Sequence, residues 1–81
     1  MFYVYVLKSF KNGKHYVGYT SKSPEERLRE HNCGSNRYTS HNRPFELIYS
    51  EKYSEINFAL KRERFLKSGN GRAVLKRLCS L

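Results

Sequence analysis

The sequence predicts a small α/β protein of the α+β type, with a three-stranded antiparallel or mixed sheet flanked by helices in the order β-β-α-β-α-α. Three observations support this prediction. The N-terminal segments are rich in Tyr, Val and Leu and are separated by a turn signal, which is typical of a hairpin. A Ser-Pro-Glu-Glu motif marks the start of a helix. The C-terminal third carries apolar residues at helical spacing.

The hairpin is expected to consist of strands over residues 2–8 and 15–20. The intervening Asn12-Gly13 pair is a strong turn signal, because both residue types tolerate the positive φ that tight turns require. Two pairings are open, since the loop can hold four residues or only the Asn-Gly pair. Tyr5 then lies opposite Tyr16 in the first register and opposite Thr20 in the second.

Both registers place Tyr5 and Tyr16 on one face of the sheet, because side chains an even number of residues apart share a face. Packing alone is one explanation, since tyrosine is common in strands. Gly18 is expected on the same face and would leave it open. A glycine inside a strand often marks the close approach of a ligand or another backbone.

The first helix has agreeing start and stop signals. Ser23 is the expected N-cap, Pro24 the first helical residue, and Glu26 the partner in a capping box. The helix is expected to end near Asn32, with Gly34 able to cap it.

The remaining chain is expected to form a polar, basic loop, a strand and two helices. We expect the loop over residues 34–43, the strand over 44–51 and a helix over 54–67. Two glycines in residues 67–72 are expected to break that helix with mobile backbone, before a last helix over about 72–80.

Charge and length restrict the function classes. The 81 residues allow one domain with a modest core, and 16 Lys and Arg against seven Glu give a net charge of +9. Such a surface attracts polyanions, nucleic acid first. No apolar run is long enough for a membrane helix, and no signal peptide is recognisable, so a cytoplasmic protein without a membrane partner is expected. Cys33 and Cys79 are expected to be free thiols.

Glu63 interrupts the apolar stripe of the second long helix. At about 100° per residue, it falls near the middle of a sector of roughly 120° that holds four apolar residues, namely Ile56, Ala59, Leu60 and Leu66. A carboxylate in this position is costly unless it is paired or binds a cation. A salt bridge to a core-facing arginine, a helix end in solvent, and a metal ligand remain open explanations.

These residues together provide the groups for metal-assisted phosphodiester hydrolysis. Arg27 and His31 lie four residues apart on one helix face. An arginine neutralises phosphate charge, and a single carboxylate with waters and a substrate phosphate is a common way to hold Mg²⁺. A tyrosine can take a proton from water or deliver one.

Four segments resemble the GIY-YIG nuclease superfamily. "YVY" at 3–5 stands where GIY stands, and "YVG" at 16–18 stands where YIG stands. "RLREH" at 27–31 is similar to the arginine-bearing helix of the family, and "ALKRERFLKSG" at 59–69 to its glutamate helix. The match covers roughly residues 2–72, with Tyr3 in place of the first glycine. The chain is most similar to the stand-alone, single-domain bacterial group, which implies one domain over residues 1–81.

The resemblance implies a role for each site residue. Tyr16 would be the general base or would orient the attacking water, and Tyr5 would hydrogen-bond near the scissile phosphate. Arg27 would bind that phosphate, Glu63 would hold one Mg²⁺ or Mn²⁺ ion, and His31 would line the site. Because a phenol is a weak base at neutral pH, His31 could instead take the proton, directly or through Tyr16. His31 could equally be a helix C-terminal cation stabilised by the dipole.

The implied activity is that of a divalent-metal-dependent endonuclease acting on DNA, structure-selective or nonspecific, with a role in DNA repair or recombination. Basic side chains outside the reaction centre would bind nucleic acid, among them Arg37, Arg43, Lys67 and Arg72. The alternative is a non-catalytic basic nucleic-acid-binding module on the same fold. A pure binding module would not need the carboxylate of Glu63, because a carboxylate repels phosphate unless a metal intervenes.

Overall fold

Three antiparallel strands and three helices form the protein in a computed structural model, which describes residues 1–34 and 42–79. The predicted α+β class and the order β-β-α-β-α-α are confirmed, and every strand pairing is antiparallel. The elements are β1 (Phe2–Ser9), β2 (His15–Thr20), α1 (Pro24–Asn32), β3 (Phe45–Tyr53), α2 (Ile56–Lys67) and α3 (Gly69–Cys79). The sheet order is β2-β1-β3, so β2 and β3 are edge strands.

The hairpin register lies midway between the two that the sequence allowed. Tyr5 pairs with Gly18, and Leu7 pairs with Tyr16. The connecting loop is longer than an Asn-Gly turn, because the Ser9 N–H donates to the carbonyl of Lys14 at 3.0 Å. Both predicted pairings of Tyr5 were therefore wrong, but the prediction that Tyr5 and Tyr16 share a face is confirmed.

Each face of the sheet packs against different helices. On one face, Tyr5, Leu7 and Phe45 form a small core against which Leu28 of α1 packs. On the other face, Val4, Val6, Ala59, Leu66 and Leu75 form a second core from β1, α2 and α3. The burial of apolar side chains on both faces fixes the central strand between the helices.

An irregularity in β3 changes which of its side chains face each core. Val6 pairs with Tyr49, but the next residue, Leu7, pairs with Leu47, so Ile48 is an extra residue in β3. Such a bulge breaks the period-two alternation. Leu47 consequently packs with the α1-side core and Tyr49 with the α2-side core. Strict alternation would have placed these two side chains on the same face of the sheet.

The predicted N-cap of α1 at Ser23 and the predicted start at Pro24 are confirmed. The Ser23 hydroxyl accepts a hydrogen bond from the Glu26 N–H at 3.2 Å, and Pro24 occupies the first turn. Gly34 follows the helix with φ +79°, in the left-handed region that favours glycine.

The predicted end of α2 at Lys67 is confirmed, but the last helix begins at Gly69 and not near Arg72, so a single residue separates α2 from α3. Ser68 joins them: its hydroxyl accepts from the Gly71 N–H at 3.1 Å and donates to the Phe65 carbonyl at 2.6 Å. A Cβ atom at Gly71 would overlap the Phe65 carbonyl. The glycine thus permits close packing of two helices.

Two further predictions concern the whole chain. Cys33 and Cys79 are free, as predicted. No helix within residues 1–34 and 42–79 is long and apolar enough to cross a membrane. Most of the predicted basic loop, including Arg37, lies outside the described residues.

Candidate active site

A cleft of about 1110 Å³ lies along the edge strand β2 and collects most of the predicted site residues. It is lined by seven of them, namely Tyr5, Tyr16, Arg27, His31, Glu63, Lys67 and Arg72. Residues from both faces of β2 line the cleft, so it extends around the edge of the sheet. Arg43 does not line the cleft and lies against Gly34 beyond α1.

Gly18 makes room for a side chain of the protein itself. A Cβ atom built at Gly18 would lie 2.5 Å from the Tyr5 hydroxyl oxygen and 2.6 Å from the ring carbon that carries it. The phenol of Tyr5 therefore crosses directly over Gly18. The expectation that Gly18 leaves this face open was wrong, because the close approach is that of Tyr5 on the neighbouring strand.

Tyr5 joins Arg27 and His31 in one hydrogen-bonded chain. The Arg27 Nε–H donates to the Tyr5 hydroxyl oxygen at 3.4 Å, and the same oxygen lies 3.2 Å from His31 Nε2. Because arginine only donates, we assign the Tyr5 hydroxyl hydrogen to the bond with His31, whose Nε2 then accepts. Tyr5 is 4% exposed, so this chain is held inside the protein.

His31 is a buried imidazole with 4% exposure. Burial lowers the pKa of His31, and the nearby positive charge of Arg27 lowers it further. The ring is consequently neutral at neutral pH and can accept a proton. A helix C-terminal cation, the alternative explanation from the sequence, does not fit a buried ring with a lowered pKa.

Arg27 is positioned from two sides. Its Nη1 lies 2.8 Å from a carboxylate oxygen of Glu30, whose other oxygen lies 3.1 Å from Lys22 Nζ. The hydrogen bond to Tyr5 raises the pKa of Arg27 most, and Glu30 raises it further against the opposing effect of burial. The i,i+3 spacing of Arg27 and Glu30 was the available sequence signal for this pair.

Tyr16 lines the cleft. Its ring packs edge-on against Phe45, with 5.2 Å between the ring centroids. Phe45 is 3% exposed and belongs to the α1-side core, so one edge of Tyr16 rests on a rigid surface. This contact restrains the direction in which the phenol enters the cleft.

Glu63 lies on the cleft side of α2 with a side-chain exposure of 17%. Among the residues that the structure describes, Lys67 is the one cation within ion-pair distance of Glu63, at 3.6 Å, and it is 55% exposed. Among the described residues, no core-facing arginine forms the salt bridge with Glu63 that a structural role would require. A shielded carboxylate with one long ion pair matches the donor that a Mg²⁺ ion shares with waters and a substrate phosphate.

Residues 1–34 and 42–79 contain no group of three or more His, Cys, Asp or Glu side chains able to hold a metal ion. A divalent ion at Glu63 would therefore take most of its ligands from water and substrate.

Glu51 was missed by the sequence reasoning. It accepts hydrogen bonds from the hydroxyls of Tyr49 and Tyr53 at 2.5 and 2.7 Å, and from Arg62 Nε and Nη2 at 2.9 and 3.0 Å. Burial alone would raise the pKa of Glu51, but these bonds outweigh it and hold the pKa below its usual value. Burial and Glu51 together raise the pKa of Tyr53 to about 12.

Comparison with known proteins agrees with the site geometry. Residues 1–76 match the family model described as the GIY-YIG catalytic domain. UPF0213 proteins of Staphylococcus saprophyticus and Staphylococcus epidermidis are each 39% identical to the chain over 75 residues, and one of Staphylococcus haemolyticus is 37% identical. These alignments cover 91% of this chain and 89% of each relative. No solved structure matches the chain. The chain therefore belongs to the GIY-YIG family of nucleases.

Proposed function

We propose that the protein is a divalent-metal-dependent endonuclease that hydrolyses phosphodiester bonds in DNA. The observation that carries this proposal is the meeting of Tyr5, Tyr16, Arg27 and Glu63 in one cleft of a strongly basic chain. These residues come from β1, β2, α1 and α2, and each supplies a different function in phosphodiester hydrolysis.

Arg27 is the proposed phosphate ligand. A guanidinium has five N–H donors, and Arg27 uses Nε for Tyr5 and one donor of Nη1 for Glu30. Its remaining donors can bind the scissile phosphate, where they would stabilise the charge that develops in the transition state. Lys67 and Arg72 line the same cleft and would hold neighbouring phosphates.

Tyr16 and the Tyr5–His31 pair are the proposed proton-handling groups. Tyr16 would take a proton from the attacking water or orient that water. Neutral His31 can accept a proton through its hydrogen bond with Tyr5. The cleft is therefore lined by a nearly buried imidazole that can accept a proton.

Glu63 is the proposed ligand of one Mg²⁺ or Mn²⁺ ion. A bound divalent ion supplies Lewis-acid polarisation of the phosphate and stabilises the leaving oxygen. The protein keeps the Glu63 carboxylate shielded and weakly paired, so that it can bind a cation. Lys67 would leave Glu63 and remain close enough to bind substrate phosphate.

A non-catalytic nucleic-acid-binding module is the second candidate, since the basic surface alone would serve it. The position of Glu63 supports the nuclease over the binder. A carboxylate inside a cleft lined by Lys67 and Arg72 would weaken phosphate binding unless a cation neutralises it. Such an endonuclease would act in DNA repair or recombination, in the cytoplasm, where Cys33 and Cys79 would remain reduced.

The test is a cleavage panel with labelled duplex, flap, branched and single-stranded DNA, in Mg²⁺, Mn²⁺ or EDTA. We expect cleavage with either metal and none in EDTA. Arg27→Ala should abolish cleavage and weaken DNA binding only slightly, because one phosphate contact among several is lost. Arg29→Ala is the matched control, since Arg29 is an exposed arginine of the same helix outside the cleft. Tight binding without cleavage under every condition would favour the binding module.

A further inference from the structure

Helix α2 carries two pairs of apolar residues seven positions apart, and they have opposite environments. Ala59 and Leu66 are buried, with exposures of 0% and 1%, and belong to the core. Phe58 and Phe65 are 56% and 39% exposed. Seven residues span two helical turns, so the two phenyl rings lie about 10 Å apart along one side of the helix. Two exposed aromatic rings on one helix side need an explanation that core packing does not give.

Cations surround these two rings. Lys61 and Arg62 lie between Phe58 and Phe65 at helical spacing, and together the four residues form what we call the aromatic–basic stripe. The Arg62 guanidinium lies over the Phe65 ring, 5.5 Å from its centroid. Because Glu51 holds Arg62 with two hydrogen bonds, the cation against Phe65 is fixed before any partner arrives.

The outer surface of α2 connects the stripe to the catalytic cleft. At about 100° per residue, the side chains around the helix follow the order Phe65, Lys61, Arg64, Lys67, Glu63. A shallow depression on this outer surface, between Phe65 and Glu63, is lined by Asn57, Leu60, Lys61 and Arg64. A polyanion lying across α2 would thus meet three cations in succession before it reaches the carboxylate of the cleft.

We propose that the aromatic–basic stripe binds single-stranded DNA and delivers it across α2 to the cleft. The partner must be anionic, because the path carries lysines and arginines throughout. It must also offer flat apolar faces for Phe58 and Phe65. A single strand presents both its phosphates and its base faces, whereas a duplex hides its base faces in the stack. Aromatic side chains in a basic groove bind single strands by base stacking in this way.

This inference deepens the proposed nuclease function by naming its substrate class, which is DNA with a single-stranded segment next to the cleaved bond. Only the delivery of the strand to the cleft depends on that function. Binding of the strand to α2 does not, so it can be measured in EDTA, where cleavage is absent. A failure of the stripe and a failure of the nuclease therefore give different results.

The test measures the affinity of the protein for a labelled oligothymidylate and for a duplex of equal length, by fluorescence anisotropy in EDTA. We expect F58A/F65A to weaken single-strand binding by roughly 30-fold or more, since each of the two lost stacking contacts costs at least about fivefold in affinity. Duplex binding should change by less than about twofold, because phosphate contacts dominate it. F10A is the matched control: Phe10 is 64% exposed on the hairpin loop, away from α2, and its removal should change neither affinity.

F58L/F65L keeps apolar bulk and removes the aromatic faces, so it too should lose single-strand affinity if stacking is responsible. Circular dichroism of each variant establishes that the fold is retained. Unchanged single-strand binding by either double variant would overturn the proposal, as would an equal loss of duplex binding. Binding to phosphatidylcholine–phosphatidylserine vesicles that requires Phe58 and Phe65 would assign the stripe to a membrane surface. Wild-type dimers that F58A/F65A converts to monomers in sedimentation would assign it to self-association.

Discussion

Glu51 and Glu63 are two carboxylates of nearly equal exposure, 15% and 17%, with very different surroundings. Glu51 accepts four hydrogen bonds, two of them from Arg62. Glu63, the next residue along α2 from Arg62, has one ion pair at 3.6 Å with a largely exposed lysine. A shielded carboxylate with full pairing stabilises the fold, whereas one with weak pairing retains capacity for another cation. We infer that Glu51 is a structural residue and Glu63 a functional one.

The two residues are also mechanically connected. Arg62 anchors the middle of α2 to β3 through Glu51, while Glu63 points to the other flank of the helix and lines the cleft. The fully paired carboxylate of Glu51 therefore fixes the helix that presents the weakly paired carboxylate of Glu63. This arrangement predicts opposite consequences when each charge is removed without a change of shape.

The largest expected effect is that of Glu63→Gln on cleavage. The substitution keeps the size of the side chain and removes the charge that would bind the metal. We expect the cleavage rate to fall by orders of magnitude, because a catalytic metal contributes several kcal/mol to transition-state stabilisation. Single-turnover cleavage with saturating enzyme measures this effect. DNA binding in EDTA should be unchanged or slightly tighter. A Glu63→Gln protein that cleaves DNA at the wild-type rate would contradict a metal-binding role for Glu63.

The next effect is that of Glu51→Gln on stability. Loss of the charge weakens the bonds from Arg62, Tyr49 and Tyr53, and we expect a cost of about 2–3 kcal/mol in the free energy of unfolding. For a domain of this size, that cost lowers Tm by roughly 10–20 °C. Thermal denaturation followed by circular dichroism measures it. Glu46→Gln is the control, since Glu46 is an exposed carboxylate on the same strand, and its Tm should stay near that of wild type.

A smaller effect on cleavage is expected from Gly18→Ala, which changes the position of Tyr5 and leaves both carboxylates in place. Gly18→Ala would push the Tyr5 phenol out of its position, because the new Cβ would lie 2.5 Å from the hydroxyl oxygen. We expect cleavage to fall about tenfold, or ~1.4 kcal/mol in the barrier, as Arg27 and His31 lose their shared partner. Gly69→Ala is the matched control, because its Cβ would meet no atom within 4 Å. Equal activity of the two variants would show that the position of Tyr5 does not matter.

The smallest effect is on the pH dependence of stability and comes from His31. Its pKa is lowered from the ordinary 6.5 by burial and by Arg27, so the unfolded chain binds the proton at higher pH than the folded one. Acidification below about pH 6.5 therefore favours unfolding, and the stability is lost as pH falls toward the folded-state pKa. His31→Gln should flatten the decline of Tm between about pH 7 and pH 5. His15→Gln, at an exposed histidine, should flatten it less; the reverse ranking would contradict the burial of His31.

Local signals in the sequence were sufficient to predict the order of elements and the capping of α1. The Ser23 N-cap and the β2 boundaries need no knowledge of distant residues. The hairpin register, the extra residue at Ile48 and the close contact of Gly71 with Phe65 depend on how strands and helices pack. Such features have no signature within a few residues of the chain.

The same division applies to the site. The structure places the four residues that the motifs carry, Tyr5, Tyr16, Arg27 and Glu63, in one cleft. Glu51 was missed because its partner Arg62 lies 11 residues further along and on another element. The occupant of the space above Gly18 was missed because it is Tyr5, which becomes its neighbour only through strand pairing. Contacts between strands and helices determine which residue pairs with a charged side chain and which side chain packs over a glycine.

The most direct test of the difference between Glu51 and Glu63 is the shift in Tm that Mn²⁺ produces in wild type, Glu51→Gln and Glu63→Gln, each measured against EDTA. A ligand that binds only the folded state raises Tm. We predict that Mn²⁺ raises the Tm of wild type and of the less stable Glu51→Gln, and leaves that of Glu63→Gln unchanged. The account is contradicted if Glu63→Gln keeps the full metal shift, or if it melts far below wild type while Glu51→Gln does not.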